Sequence, residues 1–304
     1  MEVTSLQKGS EYMPSSVKFI VGKNKRGKLI EVSCEPKKMF SYKNKQGLAK
    51  PDPYLTRVTF KRQVLDKYYS NPEFYSVQDG VLRGEDWYIP IDNNHTTYIM
   101  AYLGDLNNLP HDEQHYWRSY NIFEESPRMS NVAIARDFYC EFRGPDSADL
   151  LFKEIFGIFN EIFDKKNGWK LFKPLNYHDK HNLESLANLS INSQKQFDEG
   201  ILRLAKILID SINVKKISEV VTFNDEEEGS LDKLEKYFSV SKIFKTEELI
   251  KTLRRIQKLR SSGSAHRKDS NYEKSLKKVP GDSLQEKYSK ILNDCSKSLM
   301  LLLK

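Results

Sequence analysis

Arg260 and His266 stand six positions apart in the stretch Leu259-Arg260-Ser261-Ser262-Gly263-Ser264-Ala265-His266-Arg267-Lys268. A histidine exchanges protons near neutral pH. An arginine grips phosphate oxygens in a two-pronged fork and offsets charge that develops on them. Together the two residue types suit proton transfer beside a bound phosphate. On an ideal helix, six steps of about 100° would leave these side chains roughly 240° apart, on different faces. The serines and Gly263 let the backbone bend there, so that the two groups can converge. The plain alternative is a solvated connection between two helices.

The charge pattern singles out the same place. The 304 residues carry a formal net charge of +7. Residues 241–304 contain 16 Lys and Arg against 7 Asp and Glu, so the remainder of the chain is slightly acidic. Between Lys251 and Lys268 there are seven basic residues and no acidic one. An excess of this kind suits a polyanionic partner.

Other clusters carry weaker chemistry. In His111-Asp112-Glu113-Gln114-His115 two histidines stand one helical turn apart, as in the zinc motif H-E-x-x-H. Here Asp112 takes the Glu position, Pro110 marks a helix start, and no third ligand follows by motif, although His95 and His178 are available. A polar first turn before Tyr116-Trp117 is the alternative. Tyr177-His178-Asp179-Lys180-His181 reads as a polar loop. Trp117-Arg118-Ser119-Tyr120-Asn121-Ile122 suits a ligand pocket or an aromatic nucleic-acid platform, and equally an ordinary core. The chain has no P-loop, no G-x-G-x-x-G after a strand and no G-x-S-x-G, which leaves nucleotide hydrolysis, dinucleotide binding and α/β-hydrolase chemistry without support. Cys34, Cys140 and Cys295 form neither a CxxC pair nor an even framework. The N-terminus lacks an apolar h-region, and the longest apolar run, Leu299 to Leu303, is too short to span a bilayer. These features predict a reduced, cytoplasmic protein with no membrane partner.

The elements that must position Arg260 and His266 fall into two halves. Val17–Gly22 and Lys28–Ser33 predict a hairpin, and Tyr54–Phe60 another strand, before a more helical run at Lys61–Tyr69. Tyr75–Gln78 and Val81–Arg83 flank Asp79-Gly80, a strong two-residue turn. Trp87–Ile91 and Thr96–Leu103 flank a second predicted turn at Asp92-Asn93-Asn94. Together they predict an antiparallel meander with short helices, ending near Gly144-Pro145. Residues 148–165 then place Leu151, Ile155, Phe159 and Ile162 on one helical face. Ser193-x-x-Gln196 and Ser283-x-x-Glu286 read as capping boxes, and Thr246-Glu247-Glu248 as a further helix start. An acidic loop at 224–230 precedes a short helix at 231–238. Four long amphipathic helices after a β-rich half predict an α+β protein: an aromatic-rich sensing or gating domain at 1–145 and a helical bundle at 146–304.

An R-x(4–6)-H motif late in a basic helical bundle resembles the HEPN superfamily, over roughly residues 175–304. Many of its members are metal-independent endoribonucleases of toxin–antitoxin, CRISPR and antiviral systems. The resemblance implies an RNA substrate and no cofactor, with Arg260 holding and polarising the phosphate and His266 as general acid/base. RNA cleavage of this type needs the 2′-hydroxyl deprotonated and the leaving 5′-oxygen protonated. One histidine does not readily do both in one turnover, and the family's answer is a homodimer that brings two Arg/His sets into one cleft. Arg254, Arg255, Lys258, Arg267 and Lys268 would line the phosphate-binding surface, with Asn271 and Tyr272 at sugar or base. Ser261 departs from the Asn, Asp or His that often follows the arginine in active members. It favours the alternative, a non-catalytic module that binds RNA, a nucleotide or a partner protein. In the nuclease reading the N-terminal domain senses or gates, and a regulatory ligand or protein would act there.

Overall fold

The computed structural model describes residues 17–35, 53–187, 191–223, 229–263 and 270–303. The N-terminal half is built on strands β1 (Lys18–Lys23), β2 (Leu29–Ser33), β3 (Arg57–Lys61), β4 (Ser76–Gln78), β5 (Val81–Arg83), β6 (Tyr88–Pro90), β7 (Tyr98–Tyr102) and β8 (Asn121–Ile122). They form three small antiparallel sheets: β1–β2, β7–β3–β8 and β4–β5–β6. Short helices α1 (Asp66–Ser70), α2 (His111–Tyr120) and α3 (Asn131–Ile134) pack around them.

Both local hairpins form where the turn residues predict them. Gly27 and Gly80 sit at φ +78° and +74°, a region that favours glycine. At Gly80 a Cβ would also overlap the Arg136 guanidinium. The predicted continuation of the meander does not form. Instead of turning back on β6, strand β7 crosses to pair with β3, Phe60 opposite Ile99 and Val58 opposite Ala101, and only the bridge Asp92–Met100 links it to the preceding segment. Burial of Val58, Phe60, Ile99 and Ala101 outweighs the local turn. The segment Asp92-Asn93-Asn94 is correspondingly buried, not a surface turn. The helical run predicted over Lys61–Tyr69 forms from Arg62 onward, as a 3-10 turn (Arg62–Leu65) leading into the one-turn helix α1, while Lys61 closes β3.

The C-terminal half is helical: α4 (Ala148–Asn167), α5 (His181–Glu184), α6 (Gln194–Ala205), α7 (Val214–Val220), α8 (Ser230–Val240), α9 (Glu247–Gly263), α10 (Ser270–Lys277) and α11 (Leu284–Leu302). Helix α4 ends at Gly168 in the left-handed conformation. Ser283 and Glu286 form a complete capping box at the start of α11. At α6 the Ser193 side chain accepts from the Gln196 amide, and the Gln196 side chain reaches back to the Asn192 amide at 2.9 Å. Helix α6 then widens into a π-helical turn, Lys206–Asp210.

Two large apolar clusters result among the described residues, beside a small third one of Tyr98, Met100, Met129 and Ala133. One gathers Phe152, Phe159, Phe197, Leu204, Leu253, Ile256, Tyr288 and Leu299 from the helices. The other gathers Phe19, Phe60, Tyr68, Ile99 and Trp117 from the N-terminal half, with Ala187 joining it from beyond α5. The seam between them is polar. Asn94 Oδ1 accepts from the backbone amides of Asp146 and Ser147 at 2.9 and 3.2 Å. No helix among the described residues is long and apolar enough to cross a membrane.

Candidate functional site

Helix α9 presents Leu249, Leu253, Ile256 and Leu259 to the core, and this stripe fixes where its basic residues emerge. The helix does not break at the serines. Ser261 and Ser262 bond back to the carbonyls of Gln257 and Lys258 at 2.9 and 2.6 Å, and the helical backbone continues to Gly263. Arg260 is therefore a helical residue one turn from the end. Its Nη1 donates to Asp210 Oδ1 at 2.7 Å, and Asp210 closes the π-helical turn after α6. This contact places a partly exposed guanidinium against a partly exposed carboxylate.

The other arginines of α9 are also matched to acids. Arg254 Nη2 reaches Asp232 Oδ1 at 2.8 Å and Glu235 Oε2 at 2.7 Å on α8. Those bonds, Glu235 first, raise its pKa further. Arg255 Nη1 bonds Asp294 Oδ2 on α11 at 3.1 Å, an acid that also receives Lys290 at 2.5 Å. Lys258 is exposed. A segment that is purely basic in sequence is thus largely compensated in space.

Tyr272, expected at an RNA sugar or base, lies in the helical core on α10. Its hydroxyl donates to Asp198 Oδ1 at 2.6 Å and accepts from Gln194 Nε2 at 2.5 Å. It anchors α10 to α6 and presents no open face, because its ring is the apolar contact that α10 needs. Asn271 belongs to the same helix. His266, Arg267 and Lys268 lie outside the described residues.

The remaining clusters divide between packing and exposed surface. His111 and His115 meet edge to face, 4.6 Å between ring centroids. Glu113 turns away from them into a buried network, accepting from Lys67 Nζ at 2.5 Å and Tyr68 Oη at 2.6 Å. No group of three His, Cys, Asp or Glu suited to a metal occurs among the described residues. His95 stacks on Tyr98, centroids 3.9 Å apart, and its Nδ1 accepts from the Thr97 amide. Desolvation lowers its pKa. His178 and His181 are exposed. Trp117 is core, its Nε1 donating to Tyr68 Oη at 2.7 Å. Asn121 ties the first hairpin to β3, accepting from the Ile20 amide at 2.6 Å and donating to Thr59 O at 3.0 Å.

What the sequence reading missed is the polar seam. Arg62, Asp92, Asn93, Asn94 and Asp149 are all buried there. Arg62 donates through Nη2 to Asn93 O at 3.0 Å, and its charge is partly offset by Asp149 and Asp92. Burial still pulls its pKa down to about 10. A cleft of about 650 Å³ opens over this seam between Arg62, His95 and Arg128 on one side and Ser147, Gln285 and Asn293 on the other. The sequence signal was available at Asp149, a charge set among the buried positions of an otherwise apolar helix face.

No known protein family, curated protein or solved structure matches this chain.

Proposed function

We propose that this chain is a metal-independent endoribonuclease of HEPN type, with Arg260 as the phosphate-binding group and His266 as the general acid/base. The observation that carries the reading is the Arg260–Asp210 contact at 2.7 Å. It fixes a guanidinium in the last turns of α9, immediately before the segment that holds His266. A guanidinium presents five donors in one plane, the geometry that matches phosphate oxygens. Such pre-orientation is what electrostatic catalysis at a phosphorane requires. The helical bundle built on α4, α6, α9 and α11 supports the same reading. A homodimer would supply the second Arg/His set. A stress or antiphage role follows only from analogy with the superfamily.

A second reading is favoured by the pairing of Arg254 and Arg255 with acids. A surface so compensated suits a non-catalytic module that binds RNA, a nucleotide or a partner protein. The seam cleft is then the place for a regulatory ligand of the N-terminal half.

Purified protein incubated with total RNA in excess EDTA separates the two. The nuclease reading expects cleavage by the wild type and loss of it in both Arg260→Ala and His266→Ala. Cleavage that persists in both variants, or a wild type inert under every condition tried, sinks it.

A further inference from the structure

The cleft over the seam brings two arginines and the start of a long helix into one space. Arg62 is 7% exposed, with Nη2 committed to Asn93 O at 3.0 Å and Nε buried without a partner. Its Nη1 has no partner among the described residues. Arg128 lines the same cleft and is exposed. Neither arginine makes an ion pair with a carboxylate among the described residues. Helix α4, twenty residues long, reaches the cleft at Ser147 and Ala148 without a side-chain cap, and Ser147 Oγ donates instead to Asp149 Oδ1 at 2.6 Å. The uncapped first turn leaves the positive end of the helix at the cleft wall.

Two acids also line the cleft, and each is engaged. Asp146 pairs with Arg143 at 3.6 Å. Glu286 Oε2 accepts from the Asp282 and Ser283 amides at 2.7 and 3.4 Å, as part of the α11 capping box. Asp92 and Asp149, which partly offset Arg62, do not line the cleft. Asp92 accepts from the Ser130 and Asn94 amides, and Asp149 from Ser147. The groups left to a ligand are therefore the donors of two arginines and a helix start.

A group of several oxygens sharing negative charge matches those donors, and phosphate is the common one. The cleft holds about 650 Å³, far more than a phosphate alone and within the range of small-molecule sites. Asn131, Gln285 and Asn293 add amide side chains that make no hydrogen bond among the described residues. We propose that the cleft binds a small phosphate monoester with a hydroxyl-bearing body, its phosphate held by Arg62, Arg128 and the start of α4. Asn131, Gln285 and Asn293 receive the body. The proposal deepens the second reading, which puts a regulatory ligand in this cleft, and it needs no RNA cleavage. Arg62 and Arg128 come from the N-terminal half, Gln285 and Asn293 from the helical half, so the bound ester ties the two together.

The test measures binding to the full chain by calorimetry and thermal melts at about 0.15 M salt, where distant exposed charges are largely screened. The probes are ribose 5-phosphate and adenosine 5′-monophosphate, with inorganic phosphate and ribose as controls. One of the esters should bind at least about tenfold more tightly than either control and raise the melting temperature. Arg128→Gln, at an exposed residue, should weaken that ester about tenfold. Arg62→Lys, which keeps the charge and loses the fork, should weaken it at least as much. Ser289→Trp fills the cleft from α11 and should cost the ester more than inorganic phosphate. Lys195→Gln, on the exposed surface of α6, should leave binding unchanged. Failure of both esters to bind, or an affinity untouched by Arg128→Gln and Ser289→Trp, overturns the proposal. Equal affinity for inorganic phosphate overturns it too, because the body then adds nothing. RNA cleavage is not read in these measurements, so their failure leaves the nuclease reading to its own assay.

Discussion

Arg260 Nη1 and Asp210 Oδ1, 2.7 Å apart, join the end of α9 to the π-helical turn that closes α6. Both side chains are partly exposed, at 33% and 44%. An ion pair in that setting contributes at most about 1 kcal/mol to stability, so its consequence lies in orientation. If Arg260 receives a phosphate, Asp210→Asn should lower kcat for RNA cleavage by about tenfold, with KM little changed and the melting temperature within about 2 °C of wild type. Steady-state kinetics on a defined RNA, with a thermal melt of each variant, reads both quantities. A large loss of stability with unchanged kcat would make the contact purely structural.

The pairing of Arg254 gives a prediction of opposite sign. Asp232 and Glu235 hold its guanidinium at 2.8 and 2.7 Å. Asp232→Asn combined with Glu235→Gln releases that charge and removes two repelling carboxylates. RNA binding should tighten, and the slope of log K against log salt should steepen by about 0.7 for each further phosphate neutralised on a single strand. Fluorescence anisotropy across a salt series measures it; an unchanged slope would place the bound RNA away from α9.

These two cases explain what the sequence discloses and what it hides. The hairpin at Asp79-Gly80 was legible because its cause is local, two turn residues between two short strands. The basic run on α9 was legible as composition. Its compensation was not, because Asp210, Asp232, Glu235 and Asp294 lie 19 to 50 positions away. Distance along the chain hid the fate of β7 in the same way: Ile99 meets Phe60 across a pairing that no turn residue announces. Tyr272 was read as a residue at an RNA sugar or base because it follows the basic run closely, yet its ring packs in the helical core. Arg260 was singled out by its residue type and its spacing from His266, whereas its ion-pair partner Asp210 was not.

Gly80 carries two independent constraints, and both should register on substitution. Its φ of +74° strains any residue with a Cβ, and that Cβ would overlap the Arg136 guanidinium. Gly80→Ala should destabilise by about 1–3 kcal/mol. Pairing it with Arg136→Ala, which relieves the overlap and leaves the φ strain, should recover part of the loss. Urea denaturation of the single and double variants measures the coupling, and strict additivity would mean that Arg136 simply swings aside.

Asp79 sits beside that turn, and desolvation raises its pKa despite the bond it accepts from Asn94 at 2.5 Å. Asp92 and Asp146 raise it further, while Arg136 lowers it. An acid whose pKa is higher folded than unfolded binds its proton more tightly in the folded state. Its ionisation therefore costs stability, in full above the folded pKa, and the cost disappears as pH falls below the unfolded value. Asp79→Asn removes the titrating group and retains a side chain able to face Asn94. The variant should be more stable than wild type at pH 7, with the advantage narrowing as pH falls through the carboxylate range. Chemical denaturation of both proteins at pH 7, 5.5 and 4 reads the trend. An advantage that stays constant with pH would assign the effect to hydrogen bonding, and a variant less stable at pH 7 would mean that the ionised carboxylate stabilises the turn.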